Sequence, residues 1–269
     1  MISPRVYQTE AIVLKRIKLG EADRILTLYT PNLGKIRAVA KGSRRTTSKL
    51  GGHVELLTHS QLMLARGRNL DIVTQAQTIH NFLTIKENLD KLSFGLYISE
   101  LVDSFTPDHA EDHRLFDLLL ETLQQLSQDK DAGSILRYFE LRLLDYLGYR
   151  PQLRHCTNCG SPIQPVVNSF SSRHGGALCQ DCSYQEPAAC SLSLNALKVM
   201  RLWQNCAYAT ALRVRIDPKL ASELEKVMRE YIKFLLERQL KSTGWLDQLK
   251  HDSSLQQGEN AGTESRQQM

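Results

Sequence analysis

Apolar residues fall along this chain in two textures. As far as His80 they come in short dense runs, and beyond Asn81 they recur at every third or fourth position. Val6–Leu14 is rich in β-branched and apolar types and predicts a strand. Arg24–Thr30 and Lys35–Ala40 flank the turn sequence Pro31-Asn32-Leu33-Gly34 and predict a hairpin. Val54–Leu64 and Leu70–Ile79 predict two further strands, with a turn at Arg66-Gly67-Arg68-Asn69. Alternation along the second hairpin strand points Ile36, Ala38 and Ala40 inward, which leaves Lys35, Arg37 and then Lys41 on a basic face. Five short strands in about 75 residues are what a small closed barrel needs, and the five-stranded OB-fold is the expected form.

The later texture predicts amphipathic helices over Asn88–Phe105, Arg114–Leu126 and Ser134–Leu147. Thr106-Pro107-Asp108 breaks the first pair, Gly133 separates the second helix from the third, and Gly148 followed by Pro151 closes the third. Helical spacing returns over Ser193–Cys206 and Pro218–Leu240, where Pro218 suits a first turn. The expected class is α+β. An OB-fold barrel at residues 1–82 would precede a helical domain in two parts, 83–150 and 191–250, with a cysteine-bearing module inserted at 151–190. Residues 251–269 hold almost nothing apolar and are expected to be a disordered tail.

Charge sharpens this picture. The net charge is +5 over 269 residues, but residues 1–80 hold 13 Lys and Arg against 5 Asp and Glu. Residues 81–269 hold 21 against 24. A basic barrel on a slightly acidic body points to a polyanionic partner, nucleic acid foremost. No run approaches the roughly 20 apolar residues of a membrane span. The segment Met1–Val6 has no apolar core of a secretory signal, so a cytoplasmic protein without membrane contact is expected.

Cysteine spacing supplies the most specific chemistry. Cys156-x-x-Cys159 and Cys179-x-x-Cys182 are separated by 19 residues, the spacing of a four-thiolate zinc site. A redox dithiol is the competing reading, but no βαβ pattern surrounds either pair. Four thiolates leave no open position for water, so the zinc would be structural. Gly160 suits the sharp turn of a knuckle, while His155 and His174 stand near as substitute ligands. Cys190 and Cys206 read as small buried apolar residues.

Lys35, Arg37, Lys41, Arg44 and Arg45 form the candidate phosphate-binding set, with Lys49 just beyond and Gly42-Ser43 allowing the chain to turn. The bland alternative is a solvated basic loop. Tyr7, Tyr29 and Phe82 are readable either as base-stacking platforms or as core. Nucleotide-binding glycine loops, zinc-protease helices and nucleophile elbows have no match, and the barrel carboxylates form no metal-binding pair. No enzymatic activity is expected.

Ala11–Leu14, Arg16, Gly20–Thr30, Gly34-Lys35 and Ala40–Arg45 together resemble the N-terminal domain of the bacterial RecO family of DNA repair proteins. Tyr138–Tyr149, leading into His155-Cys156, resembles the end of that family's helical domain, and the likeness runs from about residue 5 to about residue 250. It implies a DNA recombination mediator of the RecF pathway, working at the nucleoid. Such a protein binds single- and double-stranded DNA, anneals complementary strands and helps load the RecA recombinase. The implied partners are RecR, RecF and the single-stranded DNA-binding protein. That last partner ends in an acidic tail with an apolar, carboxylate-bearing terminus. Arg137, on the helix Ser134–Leu147, is the expected cation for this carboxylate, unless it merely pairs with a neighbour such as Asp131. The alternative function is an RNA-binding or ribosome-associated adaptor, because a barrel with a zinc ribbon suits RNA equally.

Overall fold

The computed structural model describes residues 5–128 and 131–237. The expected tail at 251–269, and the end of the last predicted helix, lie outside the described residues. Five strands form a closed barrel: β1 (Val6–Leu19), β2 (Asp23–Thr30), β3 (Gly34–Ala40), β4 (His59–Ala65) and β5 (Asp71–His80). They close in the order β1-β2-β3-β5-β4. All neighbours are antiparallel except β3 and β5, which run parallel. This is the OB-fold expected of the basic segment. The interior holds Ala11, Val13, Leu26, Leu28, Ile36, Ala38, Ala40, Leu62, Leu64 and Val73.

A second, larger core lies among helices α1 (Leu83–Lys86), α2 (Leu89–Phe105), α3 (His113–Ser127) and α4 (Ala132–Tyr146). Strand β1 serves both cores. Ala11 and Val13 face into the barrel, while Ile12 and Leu14 on its other face join Tyr29 and Leu57 in the helical core. A continuous apolar run, rather than an alternating one, is what a strand buried on both faces requires. Side-chain caps start the three long helices: Asn88, Asp112 and Asp131 each accept a first-turn backbone N–H. Gly148 at φ +82° ends α4.

The barrel is fastened to the helices through β3. His109 N–H donates to the Lys35 carbonyl at 2.8 Å. Lys35 Nζ reaches Asp103 Oδ1 at 3.2 Å and Asp108 Oδ1 at 3.5 Å.

Two local expectations are corrected. The segment Val54–Thr58 is not strand, because Gly51–Val54 forms a 3-10 turn and Leu57 adopts φ +59°. That turn plants Leu57 in the helical core. Gly133 does not break the chain between helices but sits in the first turn of α4, where its N–H is held by Asp131 Oδ1 at 3.0 Å.

After α4 come β6 (Asn168–Ser171), β7 (Gly176–Leu178), α5 (Gln180–Ser183) and β8 (Cys190–Leu192), with a small sheet in the order β7-β6-β8. Helices α6 (Leu194–Trp203) and α7 (Tyr208–Ala211) follow, and residues 218–237 are helical (α8). Phe170 of β6 packs edge-on to Tyr231 of α8, with ring centroids 5.4 Å apart, which joins the cysteine module to the helical core. Cys190 and Cys206 are half-buried rather than buried, and desolvation pushes both thiols up. Among the described residues no helix is long and apolar enough to cross a membrane.

Candidate functional site

The barrel register sets the basic residues of two loops beside β3, along one rim. Lys18 pairs with Arg24, Arg24 with Ala40, and Ala38 lies beside Asp71 at the start of β5. The β1–β2 turn and the loop after β3 are therefore neighbours, and the β4–β5 turn, which leads into Asp71, lies alongside β3. Gly42, at φ +64°, turns the chain out of β3, and its N–H donates to Asp23 Oδ1 at 2.7 Å. Arg44 then binds the β1–β2 turn twice, with its backbone N–H to the Ala22 carbonyl at 2.9 Å and Nη1 to the Gly20 carbonyl at 3.1 Å. These bonds hold the loop in place while Lys41, Arg44, Arg45 and Lys49 remain exposed. None of the four makes an ion pair among the described residues, in contrast to Arg16 and Arg24, which share Glu55.

Lys35 departs from the expected set. It is 6% exposed and occupied by Asp103 and Asp108, so it fastens β3 to the helical body and is not available to a phosphate. Arg37 is exposed and lies 3.7 Å from Asp108. The rim also contains cations that sequence reasoning read only as turn residues. Arg66 and Arg68 in the β4–β5 turn are exposed, and Arg66 stacks on Tyr7 at 5.0 Å. The signal for them was two arginines in a turn next to β3, visible only once the strand order is known. Among the aromatics, Tyr29 and Phe82 are core. Tyr7 is half-buried and donates to Asp71, a bond that with burial pushes its hydroxyl well above its usual range.

The four paired cysteines converge, their sulfurs all lying within 4.8 Å of one another. The first pair sits on a knuckle closed by Gly160 N–H to the Cys156 carbonyl at 2.9 Å, with Gly160 at φ +76°. The second pair opens α5. Thiolates about 2.3 Å from a tetrahedral zinc stand about 3.8 Å apart, and the Sγ atoms of Cys159 and Cys179 are 3.8 Å apart. Four soft donors at this spacing fit a metal ion. His174 is not among them, because its Nδ1 lies 3.0 Å from Ser171 Oγ.

Arg137 borders a cavity of about 370 Å³ between α2, α4, α6 and α8. Phe94, Leu136, Trp203, Ile216 and Leu224 give it an apolar lining, and Arg229 adds a second cation. Arg137 does not pair with Asp131, whose carboxylate is used as the α4 cap. Its partner is Glu140, at 2.9 Å one turn along the same helix. Arg229, distant in sequence, was not identified from spacing.

Comparison with known sequences agrees with this architecture. Residues 1–82 match the family described as Recombination protein O N terminal, and residues 86–244 match Recombination protein O C terminal. The DNA repair protein RecO of Dehalococcoides mccartyi is 41% identical over 250 residues, covering 93% of this chain and 98% of that protein. The protein of the same name from Roseiflexus sp. is 43% identical over 246 residues, 91% of this chain and 87% of its own. That of Desulforamulus reducens is 35% identical over 256 residues, 95% and 99% respectively. Likeness of this extent, reaching from the barrel through the helical body, places the chain in the RecO family of DNA repair proteins.

Proposed function

We propose that this chain is a recombination mediator without catalytic chemistry of its own. It binds single- and double-stranded DNA, anneals complementary strands and assists loading of RecA onto strands coated by the single-stranded DNA-binding protein. RecR is its expected companion, RecF a further one, and the cytoplasm, at the nucleoid, its place of work. The observation that carries the DNA reading is the rim of exposed cations from two loops beside β3, of which Lys41, Arg44, Arg45 and Lys49 have no ion-pair partner among the described residues and share a loop held by hydrogen bonds to the β1–β2 hairpin. Arg37, Lys41, Arg44 and Arg45 are its phosphate-binding residues, with Lys49, Arg66 and Arg68 extending the track. Such contacts attract any sequence, because phosphates carry no base information. That suits a protein that must act wherever single strands arise.

The metal is zinc, held by Cys156, Cys159, Cys179 and Cys182, and its task is to hold the segment 151–190 together. The apolar groove beside Arg137 captures the acidic tail of the single-stranded DNA-binding protein. An Arg fork at the rim of an aromatic-lined groove matches a terminal carboxylate on an apolar residue.

Strand annealing, measured on naked strands and on strands coated by the single-stranded DNA-binding protein, tests the whole reading. Acceleration of both is expected. Failure on both would overturn it.

A further inference from the structure

One carboxyl under the groove has no task in the reading above. Glu140 is 0% exposed. Its Oε1 accepts from the Arg137 guanidinium at 2.9 Å and from the Tyr97 hydroxyl at 2.9 Å. Its Oε2 is buried and has no hydrogen-bond partner among the described residues. An ionised carboxylate with one oxygen bare in a low-dielectric interior is poorly accommodated. A proton on Oε2 relieves that cost and leaves both bonds to Oε1 in place. Arg137 is therefore held in the same position by the acid and by its anion.

Among the described residues, the groups that act most on Glu140 are Arg137 on its own helix, Tyr97 on α2, and Glu225 and Arg229 on α8. Burial dominates and pushes the carboxyl up to about 7, against the pull of Arg137, Tyr97 and Arg229. All four of these neighbours line the groove. An anion entering the groove thus arrives beside the charged and polar groups that act most on Glu140. Arg137 lines the groove itself, and its side chain keeps 11% of its surface exposed. A ligand carboxylate bound there would share one guanidinium with Glu140. Two carboxylates so placed raise each other's affinity for a proton, and the buried one, already near neutrality, takes it.

Resting on the reading of this groove as a capture site for an acidic peptide terminus, we propose that Glu140 takes up a proton as the ligand binds. The groove then receives an anionic apolar peptide end together with one H⁺. Before binding, Arg137 is neutralised by the ionised fraction of Glu140. Afterwards Glu140 is the uncharged acid and the positive charge of Arg137 is opposed by the ligand carboxylate. Net charge balances, and no covalent bond forms or breaks. Glu140 is a positioning residue whose own proton sets how much charge Arg137 offers.

Calorimetric titration of the full chain with a short acidic peptide ending in Phe and a free carboxylate tests this. It is run at pH 7 in two buffers of different ionisation enthalpy. The expected result is net uptake of up to about half a proton per peptide bound, and about fivefold tighter binding at pH 6 than at pH 8 for a one-unit upward shift. Glu140→Gln keeps an acceptor for Arg137 and Tyr97. It should bind the peptide with no proton uptake and a flat profile over that range. Wild-type binding without uptake, or uptake that survives in Glu140→Gln, would overturn the role of Glu140 and leave the groove reading standing. A wild-type chain that does not bind the peptide at all would overturn the groove reading and this role with it.

Discussion

Gly34 lies so close to Ala110 that a Cβ added to it would stand 2.0 Å from the Ala110 carbonyl oxygen. Gly34 also adopts φ +60°, where a side chain is strained on its own account. This contact brings the first residue of β3 against the segment between α2 and α3, next to the Lys35–Asp103 pair. Gly34→Ala should destabilise the chain by about 3 kcal/mol or more, from overpacking and backbone strain together. Urea unfolding measures this directly. A cost below about 1 kcal/mol would mean that the loop yields freely.

Replacing Arg44 and Arg45 together by Ala should weaken binding to many DNA sequences equally. The dependence of log affinity on log salt should flatten by about one to two phosphate units. Fluorescence anisotropy over a salt series reads both effects. An unchanged slope would place the DNA track away from the rim. Lys35→Ala, by contrast, should lower stability and leave the slope unaltered, because Lys35 is spent on Asp103 and Asp108.

Purified protein should contain about one zinc per chain. Stripping it with a strong chelator should expose the region 151–190 to proteolysis while the barrel stays protected. Folded protein that contains no metal and resists protease in this region would refute the assignment.

Arg137→Glu should abolish binding of the acidic peptide, since it places a like charge at the mouth of the groove. Binding of naked single-stranded DNA should remain nearly intact, because the barrel rim is untouched. Parallel loss of both activities would show that the two sites are not separate.

His59 is 3% exposed, with Nε2 at 2.9 Å from Glu10 Oε2 and Nδ1 buried without a partner among the described residues. Burial lowers its pKa despite the pull of Glu10, with His80 adding to the lowering. A histidine held neutral in the fold binds a proton more readily when unfolded. Its contribution to stability is therefore full above about pH 6.5 and is lost as pH falls below that value. Thermal unfolding from pH 7.5 to 5 should show this loss, and His59→Gln should show less of it. Comparing the two proteins separates His59 from Glu140. The raised carboxyl of Glu140 works in the opposite sense, favouring the fold as pH falls from about 7.

Much of this was legible in the sequence where local pattern decides the outcome. The hairpin of β2 and β3 follows from alternation and a Pro-Asn-Leu-Gly turn. The metal ligands follow from two spacings, because each knuckle builds its own turn. Lys35 shows where such reading stops. Period two puts it on the face that carries Arg37, yet the two aspartates that take it up lie 68 and 73 positions later in the chain. The apolar run Val54–Thr58 reads as strand because nothing local reveals that Leu57 will turn into a second core. Gly133 reads as a break because its flexibility is visible and the Asp131 cap that outweighs it is easily missed. Arg229 and the buried state of Glu140 depend on how α2, α4 and α8 meet, which no single segment encodes.

The double burial of β1 bears on how the molecule comes apart. Ile12 and Tyr29 belong to the barrel by backbone pairing, and with Leu14 at the irregularity in β1 they belong to the helical body by side-chain packing. Cutting the chain near residue 82 would leave those side chains facing water on one fragment and a matching apolar hollow on the other. The change from strand to helix in the sequence is thus a boundary of texture, not of cooperativity. Melting of the described body should proceed as a single event, in which the rim cannot loosen from its support without the wall they share giving way on both sides.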